Sequence, residues 1–415
     1  MIRNARAAFF RGKEVCVGME KPAIAGGAPV RDTKIYYGHQ YVDQADVKAV
    51  EEVLTSDYLT CGPKVTELEK KLCALTGAKY AAAVSNGTAA LHVAAMAAGV
   101  GAGDELITTP ITFAASANCA LYCGGRPVFA DIDPNTYNID PASVQEKITD
   151  RTRAVVAVDF TGQAAQLDEL LEICHRKGIV LIEDAAHSIG TKYKGKPIGS
   201  IADLTTFSFH PVKTVTGGEG GAVLTNREDL YEKILLYRSH GITKDEAYYV
   251  NESHGSWYHE QIDLGYNYRI TDIQCALILS QIDKLSQFAK RRREIVERYN
   301  EAFSQIPQLF VQQEIPESDT TRHLYILRLR PEMLTIDRKG FFEAMAAENI
   351  CCNVHYIPVY WHPYYEKLGY RKGLCPNAEK LYDEMMSLPI YYSMTDQDVD
   401  DVIRAVKKIV DYYKK

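Results

Sequence analysis

The stretch AVVAVDFTGQAAQLDELLEICHRKGIVLIEDAA, residues 154–186, has the pattern of a strand, a helix and a second strand. The apolar runs at 154–160 and 179–186 are short and rich in β-branched residues, as is typical of buried strands. Between them, LDELLEICHRKG spaces its apolar residues along one face of a helix. Because two strands joined by a crossover helix pair in parallel, this stretch predicts a parallel sheet covered by helices.

The same alternation of strand and helix continues on both sides of this stretch. YAAAVS precedes AALHVAAMAAGV, and ELITTP, PVFADI, DLTTFSF and GAVLTN are further short β-rich runs. After about Leu285 long charge-mixed helices and a different β/α pattern follow. We therefore predict an α/β fold, with a large and mostly parallel sheet domain over 34–285 and a smaller C-terminal α/β domain over 286–415. Residues 1–33 are weakly periodic and predict a flexible leader.

Composition argues against several classes of partner. The 415 residues carry a net charge of -7 without a basic stripe, which disfavours nucleic acid. No segment approaches the roughly 18 consecutive apolar residues of a membrane span, and the N-terminus lacks the apolar core of a signal peptide, so we expect a cytoplasmic protein that does not bind membranes. Its ten cysteines form no CxxC pair and its histidines lack zinc-site spacing, so we predict no metal.

Polar residues occur where the predicted strands end. They lie in SNGTAA at 85–90, TF at 112–113, IEDAAHS at 182–188 and SFHPVKT at 208–214. In open α/β sheets ligands bind at the carboxyl ends of the strands, so these segments are expected to meet in one crevice. SNGTAA also opens an Ala-rich helix, where free N–H groups would form a phosphate cup. Taken alone, its serine and asparagine could equally be helix caps.

Three residues in these segments are candidates for catalysis or ligand binding. Lys213 lies among small and apolar residues, an environment that lowers a lysine pKa enough for carbonyl chemistry, although a surface lysine beside a glycine turn is the alternative. Asp184 ends an apolar strand and would either pair with a buried positive group or cap a loop. Phe113 would either stack on an aromatic ligand or join the core.

Taken together, SNGTAAL, TTPITFAASAN, IEDAAHS, SFHPVKTVTGGEGG and LGYNYRITDIQCAL resemble the DegT/DnrJ/EryC1/StrS family of sugar aminotransferases, over nearly the whole chain from about Tyr36. The resemblance implies the PLP-dependent transferase fold type I, which is aspartate aminotransferase-like, with pyridoxal 5'-phosphate (PLP) as cofactor. It also implies a homodimer whose subunits share residues between their active sites.

Within this family, the run from Gln261 to Ala276 and the form HPVKTVTGGEGG are most similar to the aminotransferases of pseudaminic acid biosynthesis. The resemblance implies that L-glutamate donates its amino group to C4 of UDP-2-acetamido-2,6-dideoxy-β-L-arabino-hex-4-ulose. The product would be UDP-4-amino-4,6-dideoxy-N-acetyl-β-L-altrosamine.

Site residues are carried over from the family at matching motif positions. The implied catalytic residues are Lys213, as Schiff-base lysine and acid/base, and Asp184, facing the pyridine nitrogen. Cofactor contacts would come from Thr88, Ala89, Phe113, Gln163, Asp184, His187, Ser208, Lys213 and Asn267, the last of these reaching the phosphate in the other subunit. Contacts with the sugar nucleotide would come from Tyr37, Asp57, Tyr58, Leu59, Thr60, Asn86, Asn267, His355 and Tyr356.

Three other functions compete with this interpretation. Sugar 3-dehydratases of the same fold have histidine in place of the Schiff-base lysine, so Lys213 disfavours them. A non-catalytic regulator that binds PLP or a sugar nucleotide would be expected to have lost Lys213 or Asp184. Amination of another 4-keto hexose, a 3-keto sugar or an inosose stays open, because the loops that set stereochemistry have no readable sequence signal.

Overall fold

The computed structural model describes residues 20–415. Its strands are β1 (Ile35–Tyr36), β2 (Tyr80–Val84), β3 (Glu105–Thr108), β4 (Arg126–Phe129), β5 (Thr152–Val158), β6 (Val180–Asp184), β7 (Lys192–Tyr193), β8 (Lys196–Pro197), β9 (Leu204–Ser208), β10 (Gly221–Thr225), β11 (Ile242–Thr243), β12 (Glu260–Gln261), β13 (Leu309–Val311), β14 (Ser318–Asp319), β15 (Tyr325–Leu329), β16 (Ile350–Cys351) and β17 (Met385–Leu388).

The helices fall between and after these strands. They are α1 (Gln44–Leu54), α2 (Pro63–Thr76), α3 (Gly87–Ala97), α4 (Ala115–Tyr122), α5 (Pro141–Lys147), α6 (Leu167–His175), α7 (Glu228–Arg238), α8 (Asp272–Ile282), α9 (Leu285–Phe303), α10 (Arg338–Ala347), α11 (Pro363–Lys367), α12 (Pro376–Glu384) and α13 (Asp396–Tyr413). None of those in the described part of the chain has both the length and the apolar character that crossing a membrane requires.

A seven-stranded sheet in the order β2-β10-β9-β6-β5-β3-β4 forms the centre of the larger part. All its neighbours pair in parallel except at β10, which runs antiparallel to both β2 and β9. The predicted strand, helix and strand of 154–186 are β5, α6 and β6, with β5 and β6 paired in parallel. Apolar cores lie on both faces of the sheet, so the predicted α/β architecture is confirmed.

The C-terminal part has a core of its own. Strands β13, β15 and β17 form a small antiparallel sheet, and β15 pairs with both others. Helices α9, α10 and α13 bury apolar residues against one another and this sheet. The core also includes Val30 and Ile35, and β1 pairs with β16. The N-terminal end of the described chain therefore packs on its C-terminal part.

Residues 20–33 differ from the expected flexible leader. The backbone N–H groups of Ala23 and Val30 each donate to the Glu348 carboxylate at 2.8 Å. Glu348 is fully buried and also pairs with the buried Lys408 at 3.2 Å. A buried carboxylate needs donors, and this segment supplies two of them. The rest of the predicted leader, residues 1–19, lies outside the described residues.

Candidate active site

A cavity of about 1080 Å³ lies at the carboxyl ends of the parallel strands. It joins the segments that follow β2, β6 and β9 with residues of the C-terminal part. Most of the site residues predicted from sequence line this one cavity. They are Tyr37, Asn86, Thr88, Ala89, Phe113, Asp184, His187, Ser208, Lys213, His355 and Tyr356.

Lys213 lies in the turn between β9 and β10 and faces the cavity. Its backbone N–H donates to the carbonyl of His210 at 2.9 Å, which fixes the turn. Burial lowers the pKa of the Lys213 amine to about 8, and the nearby Asp184 carboxylate offsets part of that effect. A lysine with this pKa is partly unprotonated near neutrality, as a nucleophile or base must be.

Asp184 is the last residue of β6 and its side chain is almost completely buried. One carboxylate oxygen accepts from the Ser116 hydroxyl at 2.7 Å, and the other accepts from the Ala186 N–H at 3.2 Å. Burial raises the pKa of Asp184, while the Ser116 hydrogen bond opposes that rise. The result is a carboxylate held in one orientation at the cavity wall, suited to face a positively charged ring nitrogen.

The N-terminus of α3 forms one end of the cavity. The Asn86 side chain caps this helix by accepting from the Ala89 N–H at 2.8 Å, so the capping role considered from sequence is present. A Cβ atom on Gly87 would lie 2.8 Å from the Cβ of Ser208. Only glycine therefore allows the positive end of α3 to approach the end of β9. Thr88, Ala89 and Ser208 meet there, in the arrangement of an anion site.

Aromatic side chains also line the cavity. The Phe113 ring is 63% exposed and stands 6.3 Å from the Tyr356 ring, between centroids. Such an exposed ring excludes the alternative that Phe113 belongs to the core. The Tyr356 hydroxyl lies 3.4 Å from Nε2 of His187. An aromatic ligand would therefore find an open ring face at Phe113.

Three buried histidines stand beside Lys213, and the sequence indicated two of them. The rings of His187 and His323 are 4.5 Å apart, and His355 completes the group. Burial is the main cause that lowers the pKa of each, and the nearby Lys213 charge adds to it, so all three are neutral near pH 7. The segment RHLY around His323 has no motif spacing, so no sequence signal marked it as a site residue.

Gln163 does not line the cavity, contrary to its predicted contact with the cofactor. Its side-chain oxygen accepts from the Ile315 N–H at 2.9 Å, and its side-chain nitrogen lies 3.3 Å from the carbonyl of Gln313. The residue is completely buried. Its amide is therefore occupied by hydrogen bonds that hold the chain at 313–315, and we correct the prediction to a structural role.

Two predicted segments lie outside the cavity of their own chain. Residues 57–60 are exposed, and a bridge between Thr60 and Thr271 ties the loop to the start of α8. Asn267 is exposed as well and is bridged to Ser239. Neither segment contributes to the lining of this cavity.

The cavity residues fit the PLP that the family resemblance implies. Thr88, Ala89 and Ser208 would hold the phosphate at the positive end of α3. Phe113 would cover the ring, Asp184 would face the ring nitrogen, and Lys213 would carry the covalent link. Among residues 20–415, no group of three or more His, Cys, Asp or Glu side chains is arranged to hold a metal ion.

Comparison with known proteins gives consistent matches. The DegT/DnrJ/EryC1/StrS aminotransferase family matches residues 40–407. Spore coat polysaccharide biosynthesis protein SpsC of Bacillus subtilis is 44% identical over 90% of this chain and 96% of its own length. UDP-4-amino-4,6-dideoxy-N-acetyl-β-L-altrosamine transaminase of Campylobacter jejuni is 38% identical over 92% of this chain and 99% of its own length. The PLP form of the sugar aminotransferase Spr1654 from Streptococcus pneumoniae superposes with a TM-score of 0.85 at 29% identity, over 91% of this chain and 99% of that one.

Proposed function

The chain belongs to the DegT/DnrJ/EryC1/StrS aminotransferase family, and from that premise we propose its reaction: transfer of the L-glutamate amino group to C4 of UDP-2-acetamido-2,6-dideoxy-β-L-arabino-hex-4-ulose. Membership makes the protein a PLP-dependent sugar aminotransferase, and the choice of ketone is the proposal. The observation that carries it is the near full-length similarity to the Campylobacter transaminase. The pathway would be pseudaminic acid biosynthesis.

When bound, PLP supplies the electron sink that stabilises negative charge on the carbon losing a proton. We assign the proton transfer to Nζ of Lys213, which faces the cavity. A pKa of about 8 lets Nζ take a proton from the donor amino acid near neutral pH and later deliver one to the sugar carbon. In each half-reaction the same residue therefore acts first as base and then as acid, so that Nζ keeps no extra proton between the two.

Asp184 would favour positive charge on the ring nitrogen. Its orientation is held by Ser116 and by the backbone of Ala186, so little reorganisation is needed as charge develops. The neutral histidines beside Lys213 add hydrogen-bonding groups without repelling its ammonium form.

A homodimer with shared active sites belongs to the same proposal. Residues 57–60 and Asn267 are exposed on their own chain and do not line its cavity. In a dimer they would complete the cavity of the other subunit, with Asn267 near the phosphate and 57–60 near the sugar nucleotide. Leu59 and Tyr58 are large exposed apolar residues, which favours their burial in such an interface.

Amination of a different ketone is the second candidate. SpsC is more similar to this chain than the Campylobacter transaminase is, and its name places it in spore coat polysaccharide synthesis. That observation favours another nucleotide-linked keto-sugar, with the same cofactor and the same roles for Lys213 and Asp184.

The two candidates are separated by offering both ketone epimers. Purified protein with PLP and L-glutamate would be mixed with the UDP-linked L-arabino ketone or its D-gluco epimer, and products followed by mass spectrometry and NMR. We expect a 4-amino product from the L-arabino ketone. Amination of the D-gluco epimer alone, or of neither ketone, would overturn the assignment and direct the search to other ketones.

A lysine variant tests the catalytic roles in the same assay. Lys213→Ala is expected to keep the fold and to lose transamination of the ketone that the wild type aminates, because no other lysine lines the cavity among the described residues. Lys196→Ala is the matched control, since Lys196 is exposed, belongs to β8 of a separate small sheet and does not line the cavity. Full activity of Lys213→Ala would refute the role of this residue.

A further inference from the structure

The Nδ1 atom of His355 contacts a buried serine that no sequence motif indicated. Nδ1 of His355 lies 2.7 Å from the hydroxyl of Ser387, while the imidazole edge lines the cavity. Ser387 belongs to β17 and is completely buried. His355 is 7% exposed, so its ring is almost fully enclosed as well. In a neutral ring the position of one proton decides whether Nε2 is a hydrogen-bond donor or an acceptor toward a substrate.

The hydrogen-bond partners of Ser387 determine that position. Among residues 20–415, the Ser387 hydroxyl makes its only hydrogen bond with Nδ1 of His355. If Nδ1 carried the proton, the serine oxygen would accept and its own buried proton would have no acceptor in this part of the chain. If the serine donates to Nδ1, every buried group in the pair is satisfied.

Asn353 offers the only competing arrangement within the described residues. Its side-chain oxygen accepts from the Val354 N–H at 2.8 Å, which orients its amino group toward Nε2 of His355 at 3.4 Å. That separation is too long for a strong hydrogen bond. Asn353 also lines the cavity, so its amino group can be satisfied by solvent or ligand. The 2.7 Å contact with Ser387 therefore decides the tautomer.

We propose that Ser387 is a positioning residue that donates to Nδ1 of His355 and so presents Nε2–H to the cavity as a hydrogen-bond donor. The chemical group recognised by His355 is then an acceptor oxygen of the sugar nucleotide. This use of the donor rests on the proposed function, whereas the tautomer does not. Burial and the Lys213 charge lower the pKa of His355 to about 4, so the ring is neutral and the tautomer is defined near pH 7.

The tautomer is measured directly in the PLP-loaded enzyme. Protein labelled with [15N]histidine would be studied by long-range 1H–15N NMR, and the His355 signals identified as those missing from His355→Gln among the 11 histidines. We expect a proton on Nε2 and none on Nδ1. A proton on Nδ1 would overturn the proposal whether or not any ketone is aminated.

Ser387→Ala tests the consequence for binding. With the donor to Nδ1 removed, the variant should show a mixture of tautomers and a roughly 3- to 10-fold higher KM for the aminated ketone, the worth of about one hydrogen bond. The half-reaction with L-glutamate, followed by the visible spectrum of the cofactor, should be unchanged. A wild-type tautomer spectrum in Ser387→Ala would refute the assigned role.

Two further variants separate positioning from packing. Ser387→Cys keeps a weak donor of similar shape, so its tautomer spectrum and KM should lie between those of the wild type and Ser387→Ala. Met386→Leu changes a buried neighbour on β17 while conserving volume, and it should leave both measurements at wild-type values. Equal effects of Met386→Leu and Ser387→Ala would show that only packing of the strand matters.

Discussion

The lowered pKa of Lys213 gives a prediction that can be measured without any substrate. At a pKa of about 8, about one in ten Lys213 amines is unprotonated at pH 7, against about one in three thousand for a lysine with the ordinary value of about 10.5. The physical cause is burial, which disfavours the ammonium form, while the Asp184 carboxylate partly restores it. Asp184→Asn should therefore move the titration of Lys213 below 8.

The assay is the pH dependence of chemical labelling. Cofactor-free protein would be exposed briefly to an amine-specific reagent between pH 6 and pH 11, and labelling of each lysine quantified by peptide mass spectrometry. Lys194 provides an internal control because its hydrogen bond to Asp168 raises its pKa above the ordinary value. Lys213 labelling should rise with a midpoint near pH 8, well before that of Lys194.

Two results would refute this reasoning. A labelling midpoint near pH 10.5 for Lys213, close to that of Lys194, would mean that burial does not lower the pKa of the Lys213 amine. An upward shift of the midpoint in Asp184→Asn would mean that the carboxylate does not stabilise the ammonium form.

Three further predictions concern buried polar groups outside the reaction itself. Burial and repulsion from Asp159 raise the pKa of Glu183, and burial raises the pKa of Asp159 to about 7, so the pair holds a proton in the folded state. The folded state therefore loses stability as pH rises from about 4 through 7. The melting temperature of Glu183→Gln should rise relative to that of the wild type over this range, and parallel curves of melting temperature against pH would contradict the shared proton. Gln163→Ala should lower the free energy of unfolding in urea by about 1–3 kcal/mol, because it leaves the Ile315 N–H without its acceptor. The variant should still show PLP absorbance, and loss of cofactor from a folded variant would mean that Gln163 does contact PLP. Lys408→Met should lower the free energy of unfolding by about 3–5 kcal/mol, because Glu348 stays buried without its cation. The control Lys407→Met, at an exposed neighbouring position, should leave it nearly unchanged. Equal losses in the two variants would disprove the anchoring of residues 20–33.

The catalytic segments could be found from sequence because each follows a strand. Strand and helix periodicity identified β5, α6 and β6, and a parallel sheet brings the ends of such strands to one edge. The sequence therefore predicts that Asp184 and Lys213 meet, and both line one cavity. The boundary expected near 285 stays a prediction.

Orientation within the fold was decided only by the tertiary structure. Gln163 is one of the cofactor contacts predicted from sequence, yet its amide makes hydrogen bonds with the backbone at 313–315. His323 has no motif and reaches Lys213 through the packing of the C-terminal part on the sheet.

The local sequence determined the strands, the helices and the polar residues at their ends, because backbone periodicity and glycine turns act over a few residues. The tertiary structure determined which buried polar groups meet. Ser387 reaches His355 across 32 residues and Glu348 accepts from Val30 across 318, and each contact exists because a buried donor or acceptor must find a partner wherever packing supplies one.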